Sequence, residues 1–166
     1  MELLGKILRT ISLAILFGGS AAIVFAAICL VKAATAQGIS AELAAAGNAP
    51  VFIAYSKVNL IAGICLLIGE SLDYARRRFW SKLTAAQYAS SLLCVASTMI
   101  FALGIVPSME RLAPLVKTDP SLHLEFRRLH ESSRLVFSST IALALISLIL
   151  PVFGALSSAD RSPDSP

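Results

Sequence analysis

At 166 residues, 57% of them hydrophobic and 14% charged, the chain carries more apolar surface than a soluble domain can hide, globular proteins averaging about 45–50% and about 25%. Its net charge of +4 gathers at the ends of apolar runs, with no stripe of Lys and Arg interleaved with aromatics. That excludes a nucleic-acid surface and leaves helix anchoring and anionic lipid head groups as the work of the cations.

The first run, Thr10 to Val31, holds no charge and meets the roughly 20 residues needed to cross hydrocarbon. Lys6 and Arg9 precede it and Lys32 follows. Ala34-Thr35-Ala36 resembles a signal cleavage site, but the run exceeds the ~7–15 apolar residues of a signal core and Lys32 intervenes, so it reads as a retained helix. Its Gly18-Gly19-Ser20 sits inside the apolar stretch, where small residues let helices approach closely and where no phosphate loop forms. Residues 33–49 read as an Ala- and Gly-rich connection, and Asn48 before Pro50 signals a helix start. The second run goes from Val51 to about Gly69, interrupted by Tyr55-Ser56-Lys57-Val58-Asn59 and closed by Glu70 and Asp73.

A short basic turn follows, with Arg76, Arg77, Arg78, Trp80 and Lys82; cations and an interfacial Trp mark a cytoplasmic loop. The third run, Ala85 to Val106, carries Ser90, Ser91, Ser97 and Thr98 without a charge, and Pro107 is expected to end it. Residues 108–118 read as a connection containing Glu110, Arg111 and Pro114. Asp119 then caps a helix with Pro120 in its first turn. Leu122, Phe126, Leu129, Ser133, Val136, Phe137 and Thr140 form one stripe, with Arg127, Arg128, Glu131 and Arg134 opposite. Arg127 and Glu131 are spaced i,i+4 for a favourable pair. Nothing breaks this stretch before the fourth run, Leu135 to Leu156, so one helix from Pro120 to Leu150 would measure about 45 Å against a ~30 Å core. Pro151 should kink or end it, and residues 157–166 read as a disordered tail.

The expected fold is all-α: an antiparallel four-helix transmembrane bundle in residues 1–156, with an amphipathic extension before the fourth helix. The helices fall at about 9–32, 49–72, 85–106 and 120–154. Basic residues on the two sides nearly balance, and the concentration of Arg76, Arg77, Arg78 and Lys82 in the short second loop puts both termini in the cytoplasm of a bacterium.

No HExxH, GxSxG or carboxylate pair on one face appears, so familiar soluble catalysis has no support. His130, on the flank of the apolar stripe, could accept a proton, ligate a metal or haem, or bond to the segment around Glu110 and Arg111. His123 lies two turns earlier, about 10 Å away, which excludes a shared metal ion and a bis-histidine haem within one chain. Lys57, about a turn and a half into the second helix, is shallow enough to snorkel, while Asn59 lies closer to mid-membrane and needs a partner. Cys29, Cys65 and Cys94 lie in separate apolar runs without CxxC spacing, which is no disulfide framework. Buried cysteines of this kind act as small hydrophobes; Cys65 and Cys94 at similar depth, with Met99, would alternatively suit a soft ion such as Cu(I).

Two segments carry a family resemblance: Val106-Pro107-Ser108-Met109-Glu110-Arg111-Leu112 and Phe126-Arg127-Arg128-Leu129-His130-Glu131-Ser132-Ser133. With the Phe17-Gly18-Gly19-Ser20 pair and four apolar helices, the chain from about Arg9 to Val152 resembles the bacterial membrane domain of unknown function related to animal transmembrane protein 205. The resemblance implies a four-helix membrane domain with no established reaction. It carries Pro107, Met109, Phe126, Leu129, His130 and Ser133 as characteristic positions without assigned tasks, and Lys57 falls outside its pattern.

The leading expectation is a small non-enzymatic membrane protein that handles a solute or metal. The alternatives are a haem- or metal-dependent redox protein using His130 with Lys57 as partner, and a helper subunit packing on a larger membrane complex through the long fourth helix. A homodimer through Gly18, Gly19 and Ala22 is a further expectation.

Overall fold

A computed structural model of the chain describes residues 2–75, 81–116 and 118–159. The basic turn at 76–80 and the tail from 160 onward lie outside the described residues. Four long helices account for nearly all the rest, and no strand occurs among the described residues. We label them α1 (residues 2–36), α2 (Ala41–Tyr74), α3 (residues 82–115) and α4 (His123–Ala159, entered through a 3-10 turn at Pro120–Leu122). Each contains a stretch long and apolar enough to cross a membrane. Their outward surface is apolar, with Phe25 70%, Ile61 63%, Leu103 59% and Leu135 72% exposed. Water would not tolerate so continuous a surface, and lipid requires it.

Every helix is longer than the sequence suggested, for local reasons. Gly38 adopts φ 83, the left-handed geometry that ends α1. Ser40 then caps α2 by accepting the Leu43 N–H at 3.3 Å, with Glu42 in the first turn. The Ala-rich stretch after it propagates the helix, so α2 starts at Ala41 rather than near Asn48, and Pro50 lies inside it at an exposed position. Pro107 does not end α3. The helix widens to a π turn over Ile100–Ile105 immediately before it, which relieves the contact between a proline ring and the preceding turn, and continues to Leu115. The expected connection at 108–118 is therefore mostly helix. Pro151 likewise lies within α4, which runs on through Ser157 to Ala159.

Other expectations hold. Asp119 accepts the Ser121 N–H at 2.9 Å as the cap before α4. Along α4, Phe126, Ser133, Phe137 and Thr140 are buried, whereas Arg127, Arg128, Glu131 and Arg134 are exposed. Arg127 and Glu131 approach to 3.7 Å.

Among the described residues the interior has three apolar clusters stacked along the bundle. One joins Leu13, Leu16, Leu66, Cys94 and Ala144; the next centres on Phe137, whose ring meets Phe101 at 4.8 Å and Phe52 at 5.7 Å; the last packs Phe126 against Ala46, Ala49, Ala113 and Val116. Small polar side chains hold α3 to α4. Ser90 and Ser147 hydroxyls lie 2.7 Å apart, Thr140 donates to Ser97 at 2.9 Å, and Ser97 donates to the Val136 carbonyl at 2.9 Å. Such bonds contribute only about 0.6 kcal/mol each in a membrane, but their small bearers let the helices close up.

At the end of the bundle where α1 begins and α4 ends, Arg9 connects all four helices. From α1, its Nε meets Glu70 Oε1 of α2 at 3.1 Å and its Nη2 donates to the Ser147 carbonyl of α4 at 3.0 Å. With its amide oxygen turned toward the guanidinium, Gln87 of α3 accepts at 2.9 Å. Glu70 is 1% exposed and Arg9 14%. Glycines permit the approach: a Cβ on Gly69 would lie 3.0 Å from both the Arg9 nitrogen and the Gly5 carbonyl.

Two outcomes follow. Glu70→Ala leaves a guanidinium buried without its counter-charge and should cost about 3–5 kcal/mol, measured by unfolding in mixed detergent; an unchanged transition would remove the pair from the stabilising interactions. The Asp119 carboxyl is held below its ordinary value of 3.8 by the Ser121 hydroxyl and amide. Since the folded pKa is the lower one, the cap contributes fully above the ordinary value and is lost as pH falls through the lowered one. Amide exchange at Ser121 should therefore accelerate only below about pH 4, and a rate independent of pH after correction for intrinsic exchange would contradict the cap.

Candidate functional site

The second half of α1 (Ser20–Ala36), the first part of α2 and the first half of α4, with Phe101 and Met109 of α3, enclose a crevice of about 440 Å³, within the ~300–1,000 Å³ of small-ligand sites. Its two ends differ in chemistry. Toward the bundle middle the walls are Val24, Ala27, Phe52, Phe101 and Phe137. Toward the end opposite Arg9 they are Lys32, Asn48, Met109, His130, Ser133 and Arg134.

Each polar residue reaches this place through its helix. Lys32 follows the charge-free run of α1, and Asn48 sits about two turns into the extension that Ser40 initiates, donating to the Ala27 carbonyl at 3.4 Å. His130, Ser133 and Arg134 lie on adjoining turns of α4. The His130 ring stacks on Phe126, with centroids 6.2 Å apart and planes 11° apart. Neither ring nitrogen has a hydrogen-bond partner among the described residues. The Ser133 hydroxyl donates to the His130 carbonyl at 2.7 Å, which steadies the turn but leaves the ring open to the crevice. Lys32 and Arg134 are exposed and form no ion pair among the described residues. The crevice thus has an apolar inner half and a cationic mouth.

The other expected residues lie elsewhere. Glu110 and Arg111 are exposed, Arg111 donates to Ser108 at 3.4 Å, and no hydrogen bond joins either to His130. The expected tie between His130 and that segment is not made, because α3 continues as a helix and turns those side chains outward. His123 faces the Val116 carbonyl at 3.2 Å. Lys57 does not line the crevice and so cannot partner His130 there; it is exposed on the outer face of α2. Lys57 lies more than four turns into its helix and not a turn and a half, because α2 begins at Ala41 and not near Asn48. Asn59 is buried, with its Nδ2 3.5 Å from the Ser20 hydroxyl and its Oδ1 unpartnered.

The sulfur residues are dispersed. Cys94 is buried and donates to the Thr140 carbonyl at 3.6 Å, Cys65 lines an outer groove between α1 and α2, and Met99 is 40% exposed. No three His, Cys, Asp or Glu side chains among the described residues are grouped to hold a metal ion. Gly19 faces inward, where a Cβ would collide with the Tyr55 hydroxyl, whereas Gly18 and Ala22 are exposed. The pair thus splits between the bundle interior and the lipid side.

Lys32, Asn48 and Arg134 were not singled out from sequence, since each reads as an anchor or helix-start residue until antiparallel packing brings them together. No protein-family model, curated protein or solved structure matches the chain.

The cysteine positions yield a direct check. A membrane-permeant maleimide should modify exposed Cys29 first and reach buried Cys94 only on unfolding. Equal rates at both, followed by mass spectrometry, would contradict the packing of α3 on α4.

Proposed function

We propose that this multi-pass membrane protein is a solute-handling protein that holds a single-chain amphiphile with an anionic head. The observation that carries the reading is the crevice's polarity: apolar walls, Phe52, Phe101 and Phe137 among them, lead to a mouth with two cations, Lys32 and Arg134, that form no ion pair among the described residues. An acyl chain fits the inner half, and a carboxylate or phosphate fits the mouth, where a charge-assisted bond is roughly twice as strong as a neutral one. Asn48, His130 and Ser133 add polar edges that orient the head. The basic turn at 76–80 supports cytoplasmic termini, so the mouth opens toward the opposite leaflet of a bacterial cytoplasmic membrane. Kinship with the transmembrane-protein-205-like domains rests on the sequence segments around Met109 and His130, and three of their positions, Met109, His130 and Ser133, line the crevice.

The test is binding of a fluorescent fatty acid, and of the matching fatty alcohol, to protein in mild detergent. Saturable binding that favours the acid is expected, and the double variant Lys32→Ala/Arg134→Ala should weaken the acid about 10-fold to 100-fold while leaving the alcohol unchanged. Absence of saturable binding, or equal loss for acid and alcohol, would sink the proposal.

A second reading, a haem-dependent redox protein, draws on one observation: the open His130 ring in the same crevice, with cations near it for propionates. A Soret absorption band in the purified protein that His130→Ala abolishes would favour it over the amphiphile.

A further inference from the structure

Bonds between α1 and α2 fix the depth of every residue on α2. Glu70 pairs with Arg9, Asn59 meets Ser20, Tyr55 donates to the Ile15 carbonyl at 2.9 Å, and Asn48 donates to the Ala27 carbonyl. Lys57 lies between Tyr55 and Asn59, so it is level with residues 15–20 of α1. At ~1.5 Å per residue, that level is about 15 Å from Arg9 and roughly 20 Å from Lys32. The charge-free stretch between those two cations is about 33 Å long, the thickness of a hydrocarbon core. Lys57 therefore leaves the backbone near mid-membrane.

It also points outward. Ser56 and Asn59 are buried, while Ala54, Lys57, Val58 and Ile61 are exposed. Among the described residues no carboxylate pairs with Lys57. A lysine at the bilayer centre costs about 2.5–3.5 kcal/mol on insertion scales, and snorkelling recovers part of it. The side chain tilts toward the start of α2, but a four-carbon stem covers only a fraction of the distance to the Lys32 level.

A second copy of this chain does not supply the missing charge. Glu70 is already held by Arg9, and the other described carboxylates lie near the ends of the bundle. Beside Lys57 runs a shallow groove of about 190 Å³ walled by Ile11, Ile15, Val58, Ile61 and Cys65. Its walls are apolar, and Ala54 one turn away leaves room for a backbone to come close.

We propose that the Lys57 face of α2 docks a transmembrane helix of another membrane protein, one that carries an Asp or Glu near its midpoint. Charge complementarity selects this occupant: only a carboxylate at that depth neutralises the ammonium without drawing it to the head groups. The groove takes the partner's apolar side chains. The proposal is independent of the crevice, which opens between α1, α2 and α4.

The experiment uses the full chain, donor-labelled, in neutral phospholipid vesicles, with an acceptor-labelled single-span polyleucine helix bearing a central Asp. Energy transfer should reach half-maximum at a peptide fraction at least tenfold lower than for the all-leucine helix. Lys57→Leu, at an exposed position that leaves the fold intact, should erase that preference. Lys57→Asp paired with a central-Lys helix should restore it. Equal association of the Asp and all-leucine helices, or a preference that survives Lys57→Leu, would overturn the proposal. In the first of those cases the ammonium is satisfied by lipid phosphate and needs no protein partner.

Discussion

Arg9 bonds from α1 to each of the other three helices, and the bundle's arrangement at that end depends on it. A guanidinium has five donors in a fixed plane, enough for a carboxylate on α2, an amide on α3 and a backbone carbonyl on α4. Each acceptor must come to the plane of that group, so its geometry sets where the helices sit. The cost of burying the charge is met only if every acceptor is present. The demand is visible in the surrounding sequence: Gly5 and Gly69 thin the contact between α1 and α2, and Ser90 lies against Ser147 on the α4 side.

From that end to the other, the interior changes character. Near Arg9 it is polar and closed; in the middle the Phe52, Phe101 and Phe137 rings fill it; at the far end it opens into the crevice. One end of the bundle is thus clamped, and toward the other the crevice separates α1 from α4. A binding site at the far end draws its rigidity from the clamp without sharing residues with it. Lys57 sits between these two regions on the outside, where neither uses its charge.

Much of the fold was legible because its signals are local. A charge-free run reveals a membrane span, and the alternation of Phe126, Ser133 and Phe137 with Arg127, Arg128 and Glu131 revealed which side of α4 faces inward. Helix ends were less legible. Asn48 with Pro50 is a valid start signal, but Ser40 is an equally good one placed earlier, and an alanine-rich stretch continues whichever helix begins first. That shift of boundary puts Lys57 near the middle of α2 instead of a turn and a half from its start. The site was legible at Met109, His130 and Ser133. Lys32, Asn48 and Arg134 belong to three different helices, and the Arg9–Glu70 pair joins residues 61 positions apart in the chain. No spacing rule within a single helix reports such a meeting.

The two widened turns, Ile15–Gly19 and Ile100–Ile105, have a consequence for how this chain can vary. A π turn holds one residue more than the α-helix around it, and one residue of an α-helix is a rotation of about 100°. Everything after Gly19 in α1 is therefore phased against everything before it, so that Arg9 faces the bundle interior while Val24 and Ala27 wall the crevice. Loss of a single residue between Ile15 and Gly19 would keep the hydropathy profile and the membrane span. It would also leave Lys32 near the mouth of the crevice, because the widened turn closes to an α turn and absorbs the loss; the same loss anywhere else between Arg9 and Lys32 would rotate the segments on its two sides by about 100° against each other.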